Sequence, residues 1–390
     1  MRVDRLVLED FRNYENESVE FAPGLNLVTG RNAQGKTNLL EAVYCLGGMG
    51  SPRGSDVALV RDGTERALLH ADVFRKARSL HIDVEFTPGK GTRALINKTP
   101  TSGARSLREL IVCVFFGPDE LSLIKGSPDG RRRFLDELVV KLRPVRDSLR
   151  REWERTLKQR NALLKSAPRG EHAAHKVRET LEVWDDGLCR AGAALAFARL
   201  EGLRLLLPLA RKRFGEIAGT GRIELGYISE WLESGVCLRA VAGSGDVSED
   251  EIKQSLRASL DLVRDRELER GVSLVGPQRD DVGVRLAAGG DGAMLDARAF
   301  ASQGDQRTAA LALKLAEHDL LTDVLGDEPV MLLDDVFSEL DPARRAWLAD
   351  SARSLGQTLL SSAEPDALAA IGQARAIRVR GGALEVEPDR

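Results

Sequence analysis

Apolar and polar positions change period several times along the chain, and each change marks an element. Val3, Leu6 and Leu8 lead into FRNY, SVEFAPG turns the chain, and LNLVTG is a short apolar strand ending in glycine. NLLEAVYCL reads as a helix closed by Gly47 and Gly48. Strict alternation in ALLHADVF, LHIDVEF and RALIN, between residues 66 and 97, predicts an antiparallel sheet. IVCVFFGPDEL reads as a buried strand and a turn. From about residue 129 the text becomes long, charged and helical, breaks at APRGE, and resumes as a second helix from about 171 to 215. Two such helices joined by a short loop predict an antiparallel hairpin or arm. Residues 221–240 read as strand, GSGDVSED as a linker, 249–270 as helix, and GVSLVGPQRDDVGVRLAAGGDGAMLDARAF as a hairpin sheet.

Composition narrows the class. At 390 residues the chain suits two domains, or one large domain with an insertion. The net charge of -3 excludes a protein that coats nucleic acid with its whole surface, so any such contact needs a local basic patch. Cys45, Cys113, Cys189 and Cys237 are scattered, which excludes a thiolate zinc knuckle. His70, His81, His172, His175 and His318 show no metal-ligand spacing along the sequence and read as core or surface residues. The charged N-terminus is no signal peptide, and no run reaches the ~18–20 apolar residues of a membrane span. The expected location is the cytoplasm, away from membranes.

The strongest chemical signal is GRNAQGKT, residues 30–37, between a strand and a helix. Gly30 and Gly35 allow the loop Arg31, Asn32, Ala33, Gln34 to wrap phosphates with backbone N–H groups. Lys36 reaches the outer phosphates, and the Thr37 hydroxyl is placed to ligate Mg²⁺. Such a loop needs a carboxylate at the end of another buried strand. PVMLLDDVFSELD supplies Asp334 as metal partner and Asp335 to orient or deprotonate water. About 300 residues separate Lys36 from Asp334, so the nucleotide fold is split, with the sheet and helical arm inserted. ASQGDQRTAALALKLAE opens a further helix with Ser302 as N-cap, followed by Gly304, Gln306 and Arg307, a terminus suited to an anion.

The arm carries a local charge excess. From Arg131 to Lys165 there are 12 Lys and Arg against 5 Asp and Glu. Arg131, Arg132, Arg133, Arg150 and Arg151 are the candidates for DNA phosphate contacts, with Arg143, Arg146, Lys158 and Arg160 in the same arm. Residues alone fit equally a solvated arm laced with i,i+4 ion pairs.

Together these motifs resemble the ABC-type ATPase heads in their SMC-like branch, and within it the RecF family of bacterial recombination mediators. The residues carrying the resemblance are LEDFRNYENESVEF, GRNAQGKTNLLEAVYCL, FGPDELSLIKGSPDGRRRFLD, LKQRNALLK, VGPQRDD, ASQGDQRTAALALKLAE and PVMLLDDVFSELDPARR. The resemblance implies an α/β P-loop head split into residues 1–128 and 271–390, around an inserted helical arm at 129–270. It implies that Ser302, Gly304 and Gln306 complete the ATP site of a second molecule, so that ATP and Mg²⁺ close a head-to-tail homodimer. Arg12 and Asn13 match a motif that reaches nucleotide phosphates, and Asp341 matches the D-loop. The implied partners are single-stranded, gapped or junction DNA, with RecO and RecR, in RecA loading, repair, replication recovery and the SOS response. The chain departs from these families at Gln278, where a histidine is usual, and at Ala33, where glycine is usual. Asp335 stands in for a catalytic glutamate, no switch histidine follows His318, and no Q-loop glutamine is recognisable. Ser361 or Ser362 is the nearest substitute for the switch. These departures imply slow hydrolysis that acts as a switch. A chromosome-tethering SMC relative would need a longer coiled coil, and a transport ATPase subunit would need the coupling glutamine.

Overall fold

A computed structural model describes every residue except 55, 102, 167–170, 288–291, 338–339, 364–372 and 388–390, with only the backbone described over 171–178. The chain divides into two compact units: residues 1–121 with 310–390, and residues 122–309. This partition differs from the expected boundaries at 128/129 and 270/271, because it places 271–309 in the helical unit. The cause is a strand pairing distant in sequence, described below.

The first unit contains two six-stranded sheets. One is the antiparallel sheet expected from the alternation. Strands β1 (Arg2–Phe11), β2 (Tyr14–Glu20), β4 (Ala67–Arg75), β5 (Arg78–Thr87), β6 (Gly91–Ile96) and β7 (Thr99–Pro100) stand in the order β2-β1-β4-β5-β6-β7. Leu69, Ala71, Val73, Ile82, Val84 and Phe86 are buried, while His70, Asp72, His81 and Asp83 lie on the opposite, half-buried face.

The other sheet positions the phosphate loop. Its order is β15-β14-β3-β13-β12-β8, from β3 (Leu25–Thr29), β8 (Cys113–Phe116), β12 (Val330–Asp334), β13 (Thr358–Ser362), β14 (Arg375–Arg380) and β15 (Ala383–Val386). All neighbours are parallel except the final hairpin β14–β15. Leu27, Val28, Leu332, Leu333, Leu359 and Leu360 are fully buried, the apolar runs that parallel strands need when both faces are covered. Residues from the two distant halves of the chain thus become neighbours. Asp334 lies opposite Ser361, and Ser361 opposite Val28. Helix α1 (Lys36–Leu46) packs on β12 and β13, and on β1 and β4 of the antiparallel sheet, which accounts for its burial nearly all round.

In the second unit the expected hairpin is present: the Asp147–Ser166 helix packs on the 48-residue Glu171–Ala218 helix. The charged stretch before it is not one helix. Pro144 ends the Pro128–Leu142 helix, because it forces Arg143 out of helical geometry. Strand β9 (Arg222–Ile228) ends earlier than expected, and Ser234–Ala242 is helical. The pair β10 (Asp281–Ala287) and β11 (Leu295–Asp296) continues into β9, from Asp281↔Ile228 to Ala287↔Arg222. That pairing assigns 271–309 to this unit. Among the described residues, no helix is long and apolar enough to cross a membrane.

Candidate nucleotide site

Residues 30–37 cross from the C-terminal end of β3 to the N-terminus of α1. Side chains are excluded at the two glycines that matter. A Cβ on Gly30 would lie 2.5 Å from the Val379 carbonyl oxygen, and one on Gly35 would lie 2.7 Å from Asn13 Nδ2. Ala33 sits at φ 61°, a left-handed position where the glycine usual in these families would be relaxed. The loop is braced from outside. Tyr14 donates its hydroxyl to the Gly35 carbonyl at 2.8 Å, and Asn13 Nδ2 donates to the Gln34 carbonyl at 2.9 Å. The turn after β14 closes the other side, where Gly381 N–H donates to Gln34 Oε1 at 2.5 Å and Gly382 N–H to the Gln34 carbonyl at 3.2 Å. Asn13 and Gln34 therefore shape the cradle from behind.

The cradle opens into a cleft of about 240 Å³, lined by Asn32, Ala33, Gly35, Lys36, Thr37, Asn38, Arg53, Asp334 and Asp335. Lys36 Nζ donates to the carbonyls of Gly30 and Arg31 at 2.8 and 3.0 Å. Burial lowers its pKa, and the charges of Asp335 and Asp334 oppose that shift. Thr37 donates its hydroxyl to Asp334 Oδ1 at 3.0 Å. Two cis ligands of an octahedral Mg²⁺, each at 2.0–2.1 Å, sit about 2.9 Å apart, so this pair has the spacing and the hard oxygen donors that Mg²⁺ takes. Burial pushes the Asp334 pKa up, against the hydrogen bonds from Ser361 and Thr37. A cation would relieve that cost.

Ser361 is the residue that links the two aspartates. Its hydroxyl donates to Asp334 Oδ1 at 2.6 Å and accepts the Asp335 N–H at 3.0 Å. Asp335 itself stands at φ 50°, a strained position for a side-chain-bearing residue. Sequence reading had Ser361 only as one of two substitutes for a missing histidine, whereas the register of β12 and β13 singles it out.

Other expectations are corrected. Arg12 does not project into the cleft: its guanidinium makes two 2.8 Å bonds to Glu41, a fully buried carboxylate of α1. Glu41 also receives Arg53 and the Ser51 hydroxyl. Burial pushes the Glu41 pKa up, but these hydrogen bonds outweigh it and hold the group below the ordinary carboxylate value. Arg53 and Asn38 reach the cleft wall and were missed. Asn38 directly follows GKT, whereas SPRGSD gave no signal beyond a loop.

In the second unit, Ser302 is exposed at the start of the Gln303–Leu325 helix. It caps that helix by accepting the Asp305 N–H at 3.2 Å and donating to Asp305 Oδ2 at 2.7 Å. Gly304 lies in the first turn, and its carbonyl accepts the Thr308 hydroxyl at 3.0 Å. Gln306 was expected beside a nucleotide but is 2% exposed, with Nε2 donating to the Ala297 carbonyl at 2.8 Å. It braces the segment from within. Arg131 is likewise removed from the DNA candidates: it is buried, with both arms on Asp281 at 2.7 and 2.8 Å. Arg160 is fully buried between Asp185 and Glu267. Arg132 is half-buried and donates to the Asp280 carbonyl and to Asp129. Arg133 and Arg150 are exposed, with Arg150 paired to Glu154 at 3.1 Å, and Arg151 is exposed and paired to Asp147. Phe134 and Trp153 are buried, so neither can stack on a base.

Comparison with known proteins places the whole chain in a family. The family described as RecF/RecN/SMC N terminal domain matches residues 2–381. The DNA replication and repair protein RecF of Streptomyces avermitilis is 42% identical over 370 residues, covering 94% of each chain. A solved structure of the recombination mediator protein RecF-ATPrS in the RecFOR pathway superposes with TM-score 0.85 at 26% identity, over 99% of this chain and 98% of that one. Its RecF-ATP counterpart gives 0.83 at 26% identity, over 99% of both chains. With a phosphate loop and an aspartate from distant parts of the sequence joined in one parallel sheet, and with likeness of this extent to its relatives, the chain belongs to the RecF family, in the SMC-like branch of the ABC-type ATPase heads.

Proposed function

We propose that this protein is an ATP-dependent, DNA-binding recombination mediator that uses slow ATP hydrolysis as a switch. The observation that carries the reading is the Thr37–Asp334 pair at 3.0 Å beside Lys36, in a cleft walled by the phosphate loop. Backbone N–H groups of residues 31–36 would receive the phosphates, and Lys36 would exchange its carbonyl partners for them. Thr37 and Asp334 would hold Mg²⁺, which neutralises charge developing on the phosphates. Asp335 would orient the attacking water, with Ser361 fixing its backbone. An aspartate reaches less far than a glutamate, and each tenfold in rate costs about 1.4 kcal/mol of barrier, so modest mispositioning makes turnover slow.

Ser302, at the N-terminus of its helix, is the group that would meet the γ-phosphate held by a second molecule. ATP would then close a head-to-tail homodimer. The exposed Arg133, Arg150 and Arg151 would contribute sequence-independent phosphate contacts to single-stranded, gapped or junction DNA, weakening with salt. Relatives named for DNA replication and repair and for the RecFOR pathway support a place in that pathway; within it the protein would act with RecO and RecR to load RecA, in replication recovery and SOS induction. We also propose that residues 1–121 with 310–390 form the ATPase head, and residues 122–309 the inserted arm.

Light scattering with and without ATP–Mg²⁺, on the parent and on Ser302→Arg, tests the reading. The expected result is an ATP-dependent dimer for the parent and a monomer for Ser302→Arg that still binds ATP. Removing the cap costs about 1 kcal/mol, too little to unfold the chain. A parent that stays monomeric with ATP bound would overturn the clamp.

A further inference from the structure

We propose that His70, His81 and Asp83 bind one divalent transition-metal ion, of the zinc class, on the polar face of the antiparallel sheet. The three residues belong to two strands, β4 and β5, and none of them lines the nucleotide cleft. Antiparallel register makes the site. His70 pairs directly with Asp83, and Asp72 with His81, so all four side chains leave the sheet on the same face. One oxygen, Asp83 Oδ1, lies 2.5 Å from His70 Nδ1 and 3.1 Å from His81 Nε2. The three ligand atoms fall within 4.8 Å of one another, and the two imidazoles are nearly parallel at 14°.

The second observation concerns the nitrogens that face away. His81 Nδ1 is held by Asp72 Oδ1 at 2.8 Å, and His70 Nε2 lies 3.6 Å from Glu9 Oε1 on β1. Each imidazole therefore presents one nitrogen to the shared point and has a carboxylate at the other. That is how metal-bound histidines are oriented and made more basic. Three carboxylates around two imidazoles also make the place attractive to a cation.

The donor set decides the metal. Two imidazole nitrogens and one carboxylate oxygen suit Zn²⁺ and its neighbours better than Mg²⁺ or Ca²⁺, which take oxygen ligands. Tetrahedral zinc with bonds of about 2.0–2.2 Å separates its ligands by about 3.3–3.5 Å, so the ion would enter by pushing His70 and His81 back by less than about 1 Å. Three protein ligands leave a fourth position to solvent. Bound there, the ion would clamp β4 to β5, with Glu9 of β1 as an outer brace.

The test uses the full chain without a polyhistidine tag, free of nucleotide and Mg²⁺. Zinc binding is measured by equilibrium dialysis, with Co²⁺ as the spectroscopic probe. The expected result is one zinc per chain and a Co²⁺ absorption typical of four-coordinate N/O ligation. Both should be lost in Asp83→Asn and His81→Ala, and affinity should fall about 10–100-fold in Asp72→Asn. Asp334→Asn should bind zinc like the parent. ATP binding retained in Asp83→Asn shows that the variant is folded. Absence of stoichiometric zinc from the parent, zinc binding that survives Asp83→Asn, or binding that disappears with Asp334→Asn would each overturn the proposal.

Discussion

The two units bury carboxylates in opposite ways. In the helical unit, Asp185 and Glu267 are completely buried, and each meets Arg160 at 2.7 Å. Ser273 takes a third bond from the same guanidinium at 2.8 Å, and the Leu274 N–H donates to the second Glu267 oxygen at 2.6 Å. In the head unit, Asp334 is 4% exposed, and two hydroxyls, those of Thr37 and Ser361, donate to it. Taking a carboxylate out of water is costly unless a cation accompanies it. Where the fold supplies the cation, the carboxylate is structural. Where the fold supplies hydroxyls, directs its nearby lysine at backbone carbonyls and leaves only the charge of Arg53 to oppose burial, the proposed Mg²⁺ would supply the remaining compensation.

That contrast can be broken most severely at Arg160. Arg160→Ala takes the cation from buried Glu267 and leaves buried Asp185 with Arg264 alone, at 3.1 Å, so urea unfolding of the full chain should show a loss of about 3–5 kcal/mol. A loss below 1 kcal/mol would mean that Asp185 and Glu267 are not held as charged groups.

Asp280 sharpens the comparison, since it is a carboxylate of the helical unit served by neutral donors. Tyr227 donates at 2.5 Å and Trp231 at 2.8 Å. Burial pushes its pKa up to about 6, against the Tyr227 hydrogen bond, the nearby charge of Arg199 and the Trp231 hydrogen bond. A folded pKa above the unfolded value of about 3.9 gives stability that is full below pH ~4 and lost as pH rises through ~6. Relative to Asp280→Asn, the parent should gain about 2 kcal/mol on acidification across that window. Denaturation curves that shift equally with pH in both proteins would contradict it.

The smallest effect belongs to Ser361. Ser361→Ala removes a donor to Asp334 and the acceptor of the Asp335 N–H, leaving the phosphate loop intact. ATP turnover should fall about tenfold, roughly 1.4 kcal/mol, with nucleotide affinity little changed. Unchanged turnover would remove Ser361 from the catalytic arrangement.

Legibility in the sequence followed the distance over which each feature is built. GRNAQGKT and MLLDD carry their chemistry in contiguous residues, and both stand where the flanking strand and helix require. Alternation in 66–97 was enough to give the antiparallel sheet, because one face is buried and the other is not. What failed was whatever depends on a distant partner. Counting charges treats Arg131 and Arg133 alike, yet helical spacing turns the first onto Asp281 and leaves the second exposed. Arg12 looked like a phosphate ligand until Glu41 appeared beneath it. The boundary at 270 was misplaced because β10 pairs with β9, whose partner residues lie more than 50 positions upstream. His70 and Asp83 are 13 residues apart and show no ligand spacing, but the register makes them direct neighbours.

Asp334, buried beside the phosphate loop with hydroxyl donors, is proposed to be a carboxylate prepared for an external cation. Calorimetric titration of ATP into the parent and into Asp334→Asn, each with and without Mg²⁺, addresses it most directly. The account predicts that Mg²⁺ strengthens ATP binding to the parent, and that Asp334→Asn keeps the Mg²⁺-free affinity while losing the strengthening. An equal Mg²⁺ effect in both proteins would contradict it.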